Sequence, residues 1–180
     1  MEFLAYATNA FHSMSIKEKY IMKFEKQGKI YQLSAKLILP IGLDEAWDFF
    51  SDPKNLKKIT PEYMGFHIMS STDEEMYAGQ IISYKVSPLL GIKMNWVSEI
   101  THVEHKKYFV DEQKIGPYAI WHHKHFLKEI EGGTEIRDVV HYKLPISFIA
   151  NRFHSVIVKP RLKEIFEYRT NILHSMFGEK

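Results

Sequence analysis

Residues 116–145 read GPYAIWHHKHFLKEIEGGTEIRDVVHYKLP, and this stretch decides the fold. Successive side chains of a strand point to opposite faces, so Trp121, His123, His125 and Leu127 share one face of a first strand. Ile136, Asp138, Val140, Tyr142 and Leu144 share one face of a second. Gly132-Gly133 supplies the positive φ that a tight hairpin needs, which predicts antiparallel pairing. Each otherwise apolar face carries titratable groups beside Trp121, Val140 and Tyr142. Such a surface is either a wetted sheet with aromatic decoration or the wall of a partly polar internal cavity.

The sequence before it favours the cavity. Strand-like runs at 65–70, 79–86, 92–103 and 108–114 follow one another with short connectors and no helical pattern, which predicts sequential antiparallel neighbours. Along 92–103, Met94, Trp96, Ser98 and Ile100 alternate with Asn95, Val97, Glu99 and Thr101, and neither side is cleanly polar. A sheet with one face in plain water alternates more strictly. Earlier still, 29–39 reads as a strand ended by Pro40. A short helix follows, with Gly42 as N-cap, Asp44 and Glu45 in its first turn, and Ala46, Trp47 and Phe50 as its apolar side. Asp52-Pro53 then restarts a second helix, with an N-capping aspartate before a proline.

Downstream, 146–177 is helical by period. Ile149, Phe153, Ile157, Leu162, Ile165, Phe166, Ile172, Leu173 and Met176 form one stripe; Arg161, Lys163, Glu164, Glu167 and Thr170 lie away from it. Lys159 is a poor N-cap, so Pro160 is read as a kink in one helix and not as the start of another. Residues 1–21 fit none of this patterning. They are read as an N-terminal extension (disordered, loosely docked as a helix, or a non-native start), with a single domain over 22–180.

Composition sets bounds. A chain of 180 residues, 45% apolar, is one domain with a substantial core. The absence of cysteine excludes disulfides and thiolate chemistry, and a reducing cytoplasmic location is the expectation. Scattered lysines and a net charge of +2 do not suggest nucleic-acid binding. No apolar run approaches the ~20 residues that a helix needs to span a bilayer. The start of the chain has no basic region of the kind a signal peptide carries.

The predicted class is therefore α+β: one strand, two short helices, about six more antiparallel strands and one long amphipathic helix. A single helix laid across a large curved sheet rarely fills the concave space, which leaves a ligand-sized void with a few polar anchors. From about 29 to 177 the sequence resembles the SRPBCC superfamily, also called START-like or birch-pollen-allergen-like. The resemblance is carried by LPIGLDEAWDFFSDPKNLKKITP, FVDEQKIGPYAIWHHKHF and GGTEIRDVVHYKLP. It points to a bacterial ligand-binding subgroup with a GPY..W.H.H pattern. It implies a helix-grip fold, a curved sheet of about seven strands wrapped around the C-terminal helix. It also implies a choice of roles, because the superfamily includes lipid carriers, polyketide cyclases and relatives labelled as cell division inhibitors. Without cysteine no Rieske-type cluster exists, so an iron–sulfur oxygenase subunit is excluded.

The candidate site is His123, His125, Asp138 and Tyr142, joined by Asp111 and Gln113 from the preceding strand and Glu99 from the one before. Apolar walls are expected from Trp96, Trp121, Val140, Phe153 and Ile157. Imidazoles beside a carboxylate can anchor a polar ligand head, and His123, His125 and Asp138 are the candidates for acid/base catalysis. The same groups can equally form a structural network in which Asp138 fixes a histidine tautomer. His-x-His on a strand near a carboxylate is also a metal-ligand spacing, but the sequence calls for no metal and no cofactor. The expected partner is a small hydrophobic or amphipathic molecule bound in the cavity. The alternatives are a cyclase- or dehydratase-like enzyme using the same histidines, and a regulatory protein-interaction module with a vestigial pocket.

Overall fold

The computed structural model describes residues 20–70, 75–88, 91–145 and 150–178. Its frame is one curved eight-stranded antiparallel sheet in the order β1-β2-β8-β7-β6-β5-β4-β3. The strands are β1 (Tyr20–Gln27), β2 (Ile30–Leu39), β3 (His67–Ser70), β4 (Ile81–Val86), β5 (Met94–Glu104), β6 (Tyr108–Ile115), β7 (Ile120–Ile130) and β8 (Gly133–Lys143). Helices α1 (Leu43–Ser51) and α2 (Pro53–Leu56) link β2 to the rest, and Asp52 Oδ1 caps α2 by accepting from the Lys54 N–H at 2.9 Å. Among the described residues no helix is long and apolar enough to cross a membrane.

The count of about seven strands is short by one: β1, whose Tyr20, Met22 and Phe24 pack on the core while Ile21, Lys23 and Glu25 face out, is the strand it omits. Its side chains run from half-buried to exposed, the pattern of an edge strand paired on one side only. Tyr20 and Ile21 belong to β1, so a boundary at residue 22 cuts through a strand; residues 1–19 lie outside the described ones. β2 alternates strictly and turns Tyr31, Leu33, Ala35, Leu37 and Leu39 inward. At the β7–β8 hairpin Ile130 pairs with Gly133, so the two-residue loop is Glu131-Gly132 and Gly132 takes the positive φ of 83°. The turn thus falls one residue earlier than Gly132-Gly133. Gly133 is needed for another reason: a Cβ there would collide with the carbonyl oxygen of Leu39.

The C-terminal helix is continuous through Pro160 by way of a wide turn. α3 (Ala150–Phe153) passes into a π turn (His154–Val158) and then α4 (Lys159–Phe177). The Lys159 N–H donates to the carbonyl of His154, five residues back. This wider turn accommodates a proline that cannot donate to the residue four before it. An extra residue in the turn also rotates the buried face. His154, Val158, Leu162 and Phe166 point inward, followed by Arg169, Thr170 and Leu173. The stripe read from sequence includes Phe153 and Ile157, although about 100° per residue turns them roughly 180° and 140° from Leu162; both are only half-buried, Met176 is exposed, and Thr170, read as outward, is buried. Residues 146–149 of the predicted helix lie outside the described ones. Burial of Leu162, Phe166 and Leu173 stabilises the helix on the sheet by ~1.5–3 kcal/mol for each side chain.

Two groups of buried side chains lie between sheet and helices. Tyr31, Trp96, Val140, Tyr142 and Phe166 belong to one, and Leu37, Trp47, Phe109 and Leu173 to the other. Trp47 is core, as its place on α1 predicts.

Candidate functional site

Strand register assembles the site. Asp111 on β6 lies directly opposite His123 on β7, and His125 lies directly opposite Asp138 on β8. Side chains two residues apart on one strand share a face, so the four groups form a patch in which acids and imidazoles alternate. The closest contacts run along its diagonals: His123 Nε2 to Asp138 Oδ1 is 2.9 Å, and His125 Nε2 to Asp111 Oδ2 is 2.7 Å. The imidazole rings sit 3.7 Å apart, and Phe109 stacks on His125 at 4.1 Å. From the facing helix, Arg169 Nη1 reaches to 3.7 Å from Asp138 Oδ1. His123, His125, Asp138 and Arg169 are all buried.

His125 Nδ1 also lies 3.0 Å from Asp138 Oδ1, but off the line of a hydrogen bond, so this buried nitrogen has an electrostatic neighbour and no hydrogen-bond partner. Burial alone would raise the carboxyl of Asp138. The Arg169 charge, the His123 hydrogen bond and the close His125 imidazole reverse that and hold it well below the usual carboxylate range. Asp111 is lowered for a similar reason: its burial is overcome by the His125 hydrogen bond and the nearby imidazoles. The two histidines move apart. Burial and the charge of its neighbour push His123 down, whereas the Asp111 and Asp138 contacts outweigh burial and raise His125.

The patch is one wall of a hollow of about 200 Å³ between the sheet and α4. Its remaining lining is mostly apolar and rich in rings, with Phe66, Tyr84, Trp96, Tyr118, Trp121 and Phe166 prominent beside Asp52, Asn55, Thr60, Ser98 and Arg169. The rings hold one another in place. Trp96 meets Trp121 edge-on at 5.3 Å, Tyr118 lies 4.8 Å from Trp121, and the Trp96 indole N–H donates to Ser98 Oγ at 3.0 Å.

Of the residues singled out from sequence, Trp96, Asp111, Trp121, His123 and His125 line the hollow, and Asp138 sits behind the histidines. Six others do not line it. Glu99 alternates with buried Ser98 and Ile100 and points outward to Lys114 at 2.7 Å. Gln113 is held by the backbone of Tyr118, donating to its carbonyl and accepting from its N–H. Val140 is fully enclosed in the core. The Tyr142 hydroxyl is taken by His154 Nε2 at 2.7 Å. Phe153 and Ile157 are half-buried and lie off the inward face of His154, Val158 and Leu162. His122 occupies the other face, where Nδ1 lies 2.8 Å from Glu112. Sequence reading missed Tyr84, Tyr118 and Arg169. Arg169 was legible in principle: Leu162, Phe166, Arg169 and Leu173 follow helical spacing, so a charge falls on the buried stripe.

No family model matches the chain, and no curated protein matches it. Solved structures do. Protein Ms6760 from Mycobacterium smegmatis aligns at 16% identity over 87% of this chain and 95% of its own, with a TM-score of 0.61. Ginseng major latex-like protein 151 from Panax ginseng aligns at 11% over 83% and 99%, TM-score 0.59. Ara h 8.0201 aligns at 14% over 81% and 99%, TM-score 0.51. What these proteins share with this chain is the fold: an antiparallel sheet curved around a long C-terminal helix, the helix-grip architecture of Bet v1-like proteins.

Proposed function

We propose that this protein binds a small, mostly apolar molecule bearing one polar group, held between the sheet and α4 with that group against the Asp111–His123–His125 wall. The observation that carries the reading is the hollow itself, ring-lined on most sides and polar on one. At about 200 Å³ it exceeds the ~150 Å³ apolar cavity known to accept benzene, so it suits a compact ring system. Arg169 and the histidines offer donors to an acidic or phenolic oxygen. The resemblance of GPYAIWHHKH to a ligand-binding SRPBCC subgroup supports the same reading. A vestigial pocket would have collapsed, which weighs against a pure interaction module.

One observation favours a second reading. The His123 and His125 rings lie 3.7 Å apart, each hydrogen-bonded to a different carboxylate, and two imidazoles so placed suit a base and an acid. A cyclase- or dehydratase-like reaction would use them in those roles.

The test is displacement of a fluorescent naphthalene-based probe from wild type and from Ile100→Trp, which fills the hollow beside Asp111. Binding to the wild type that weakens at least tenfold in the filled variant, a loss of ~1.4 kcal/mol, supports the cavity. Equal affinity for both proteins refutes it. If a ligand is found to turn over, loss of turnover with unchanged affinity in His125→Ala selects the enzyme; weakened affinity alone selects the carrier.

A further inference from the structure

The four polar groups do not satisfy one another by hydrogen bonds alone. Each imidazole turns one nitrogen toward Asp138 and the other toward Asp111. For His123 the distances are 2.9 Å from Nε2 to Asp138 and 3.5 Å from Nδ1 to Asp111. For His125 they are 3.0 Å from Nδ1 to Asp138 and 2.7 Å from Nε2 to Asp111. A neutral imidazole carries one N–H. Two neutral rings therefore leave two of these contacts with a nitrogen lone pair against a carboxylate oxygen. An extra proton relieves one of them. A metal cation beside Asp111 relieves both, because each ring then directs its N–H to Asp138 and its lone pair to the metal.

We infer that Asp111, His123 and His125 form a site for a divalent transition-metal ion in the wall of the hollow, with Asp138 orienting both imidazoles from behind. One donor atom from each of the three lies within 4.8 Å of the others. Asp138 contacts the far nitrogen of both rings, the position of the outer carboxylate in a carboxylate–histidine–metal relay. The buried His125 Nδ1, which lacks a hydrogen-bond partner, gains a reason. Ligation through Nε2 makes Nδ1 the protonated nitrogen and sets its N–H 3.0 Å from the Asp138 carboxylate, an electrostatic contact that a tilt of the ring would bring into line. Two imidazoles and one carboxylate favour Zn²⁺, Fe²⁺, Co²⁺ or Ni²⁺ over Mg²⁺ or Ca²⁺. All three ligands line the hollow, so the remaining coordination positions face it. Arg169 offsets one of the two carboxylate charges. A divalent ion would leave the cluster with one net positive charge, so an open position would take hydroxide or an anionic oxygen of a bound molecule. Only that last step rests on the binding reading; the metal site stands without it.

The experiment uses the full chain, stripped with a chelator and titrated with Zn²⁺ against a chromophoric competitor, and separately with Co²⁺ followed by visible absorption. One equivalent of each metal is expected, with protein ligand-field bands for Co²⁺. Binding should be lost in His125→Ala and in Asp111→Ala, weakened ~10–100-fold in Asp138→Asn, and unchanged in His122→Gln. Folding of each variant is checked by circular dichroism. The wild-type protein gives an independent readout, since Cu²⁺ paramagnetic resonance should register two imidazole nitrogens. Absence of a saturable single site, binding that survives His125→Ala, or a resonance without the two nitrogens overturns the inference. A naphthalene probe that fails to bind would sink the cavity reading and leave the metal stoichiometry as it is.

Discussion

Arg169 is the group whose removal reports most sharply on the buried polar wall. Its guanidinium is 3.7 Å from Asp138 Oδ1, and their side chains are only 11% and 8% exposed. Phe50 and Phe166 lie 5.3 and 5.9 Å from it, so it is held among rings away from water. Arg169→Met keeps much of the apolar stem and removes the charge. Asp111 and Asp138 then share a buried space with no permanent cation. Stripping one partner from a buried ion pair costs ~3–5 kcal/mol, chiefly because the other charge is left uncompensated. In a domain of this size each kcal/mol moves Tm by roughly 2–4 °C, so a fall of ~6–20 °C is expected. The assay is urea unfolding by circular dichroism at pH 7, with the slope against denaturant held equal between proteins. Combining Arg169→Met with Asp138→Asn removes both charges and should recover part of the loss. The two changes are then less damaging together than their separate effects predict. A single-variant loss below about 1 kcal/mol, or strict additivity of the two, would refute the idea that Arg169 neutralises this wall.

Three further outcomes follow from other parts of the fold. His154 stacks on Tyr31 at 3.7 Å and accepts from Tyr142, and burial pushes it down from 6.5 to about 4. The unfolded chain therefore takes up a proton below pH 6.5 while the folded one resists until about 4, so stability falls across that window. The ceiling is ~3 kcal/mol, nearer half that with partial screening, and His154→Phe should flatten this part of the pH–stability curve. An unaltered slope in the variant counts against it. Gly133→Ala should destabilise by ~1–3 kcal/mol in thermal melts, because the collision is with the Leu39 backbone and not with a movable side chain. A neutral result would mean that β2 and β8 shift apart there. Leu162→Ala should cost ~2–5 kcal/mol in urea unfolding while enlarging the hollow, since Leu162 is both buried and part of its lining. A cost below 1 kcal/mol would place that side chain outside the load of the core.

What was legible in the sequence was whatever a period could encode. Alternation placed His123, His125 and Asp138 on inward faces of β7 and β8, and the hairpin supplied their antiparallel register. Period failed where the backbone leaves the regular repeat. The stripe drawn through Phe153 and Ile157 jumps five residues to Leu162, about 140° around a regular helix, whereas the wide turn keeps His154 and Val158, in four-residue steps, on the face of Leu162 and Phe166. β1 escaped although it alternates: Tyr20, Met22 and Phe24 pack on the core and Ile21, Lys23 and Glu25 face out, but the alternation ends in the exposed run Glu25–Gln27 before Gly28. The position of Gln113 depends on a turn: its side chain closes on the Tyr118 backbone, a contact set by the path of 116–118 and not by β6. Tyr142 faces inward as its strand requires, yet its hydroxyl is claimed by a helix residue, and pairing across elements leaves no periodic mark. Arg169 was hidden by habit, since a cation on a helix is ordinarily solvated.

The chain contains three tryptophans, and their positions provide the most direct test of a ligand under the helix. Trp96 and Trp121 line the hollow, whereas Trp47 packs in the other core group against Phe109 at 6.2 Å. In a titration with 2-naphthoate followed by ¹H–¹⁵N spectra, the indole N–H signals of Trp96 and Trp121 should shift together and saturate while that of Trp47 stays in place. Movement of all three alike, or of none at saturating naphthoate, would contradict a ligand seated between sheet and helix.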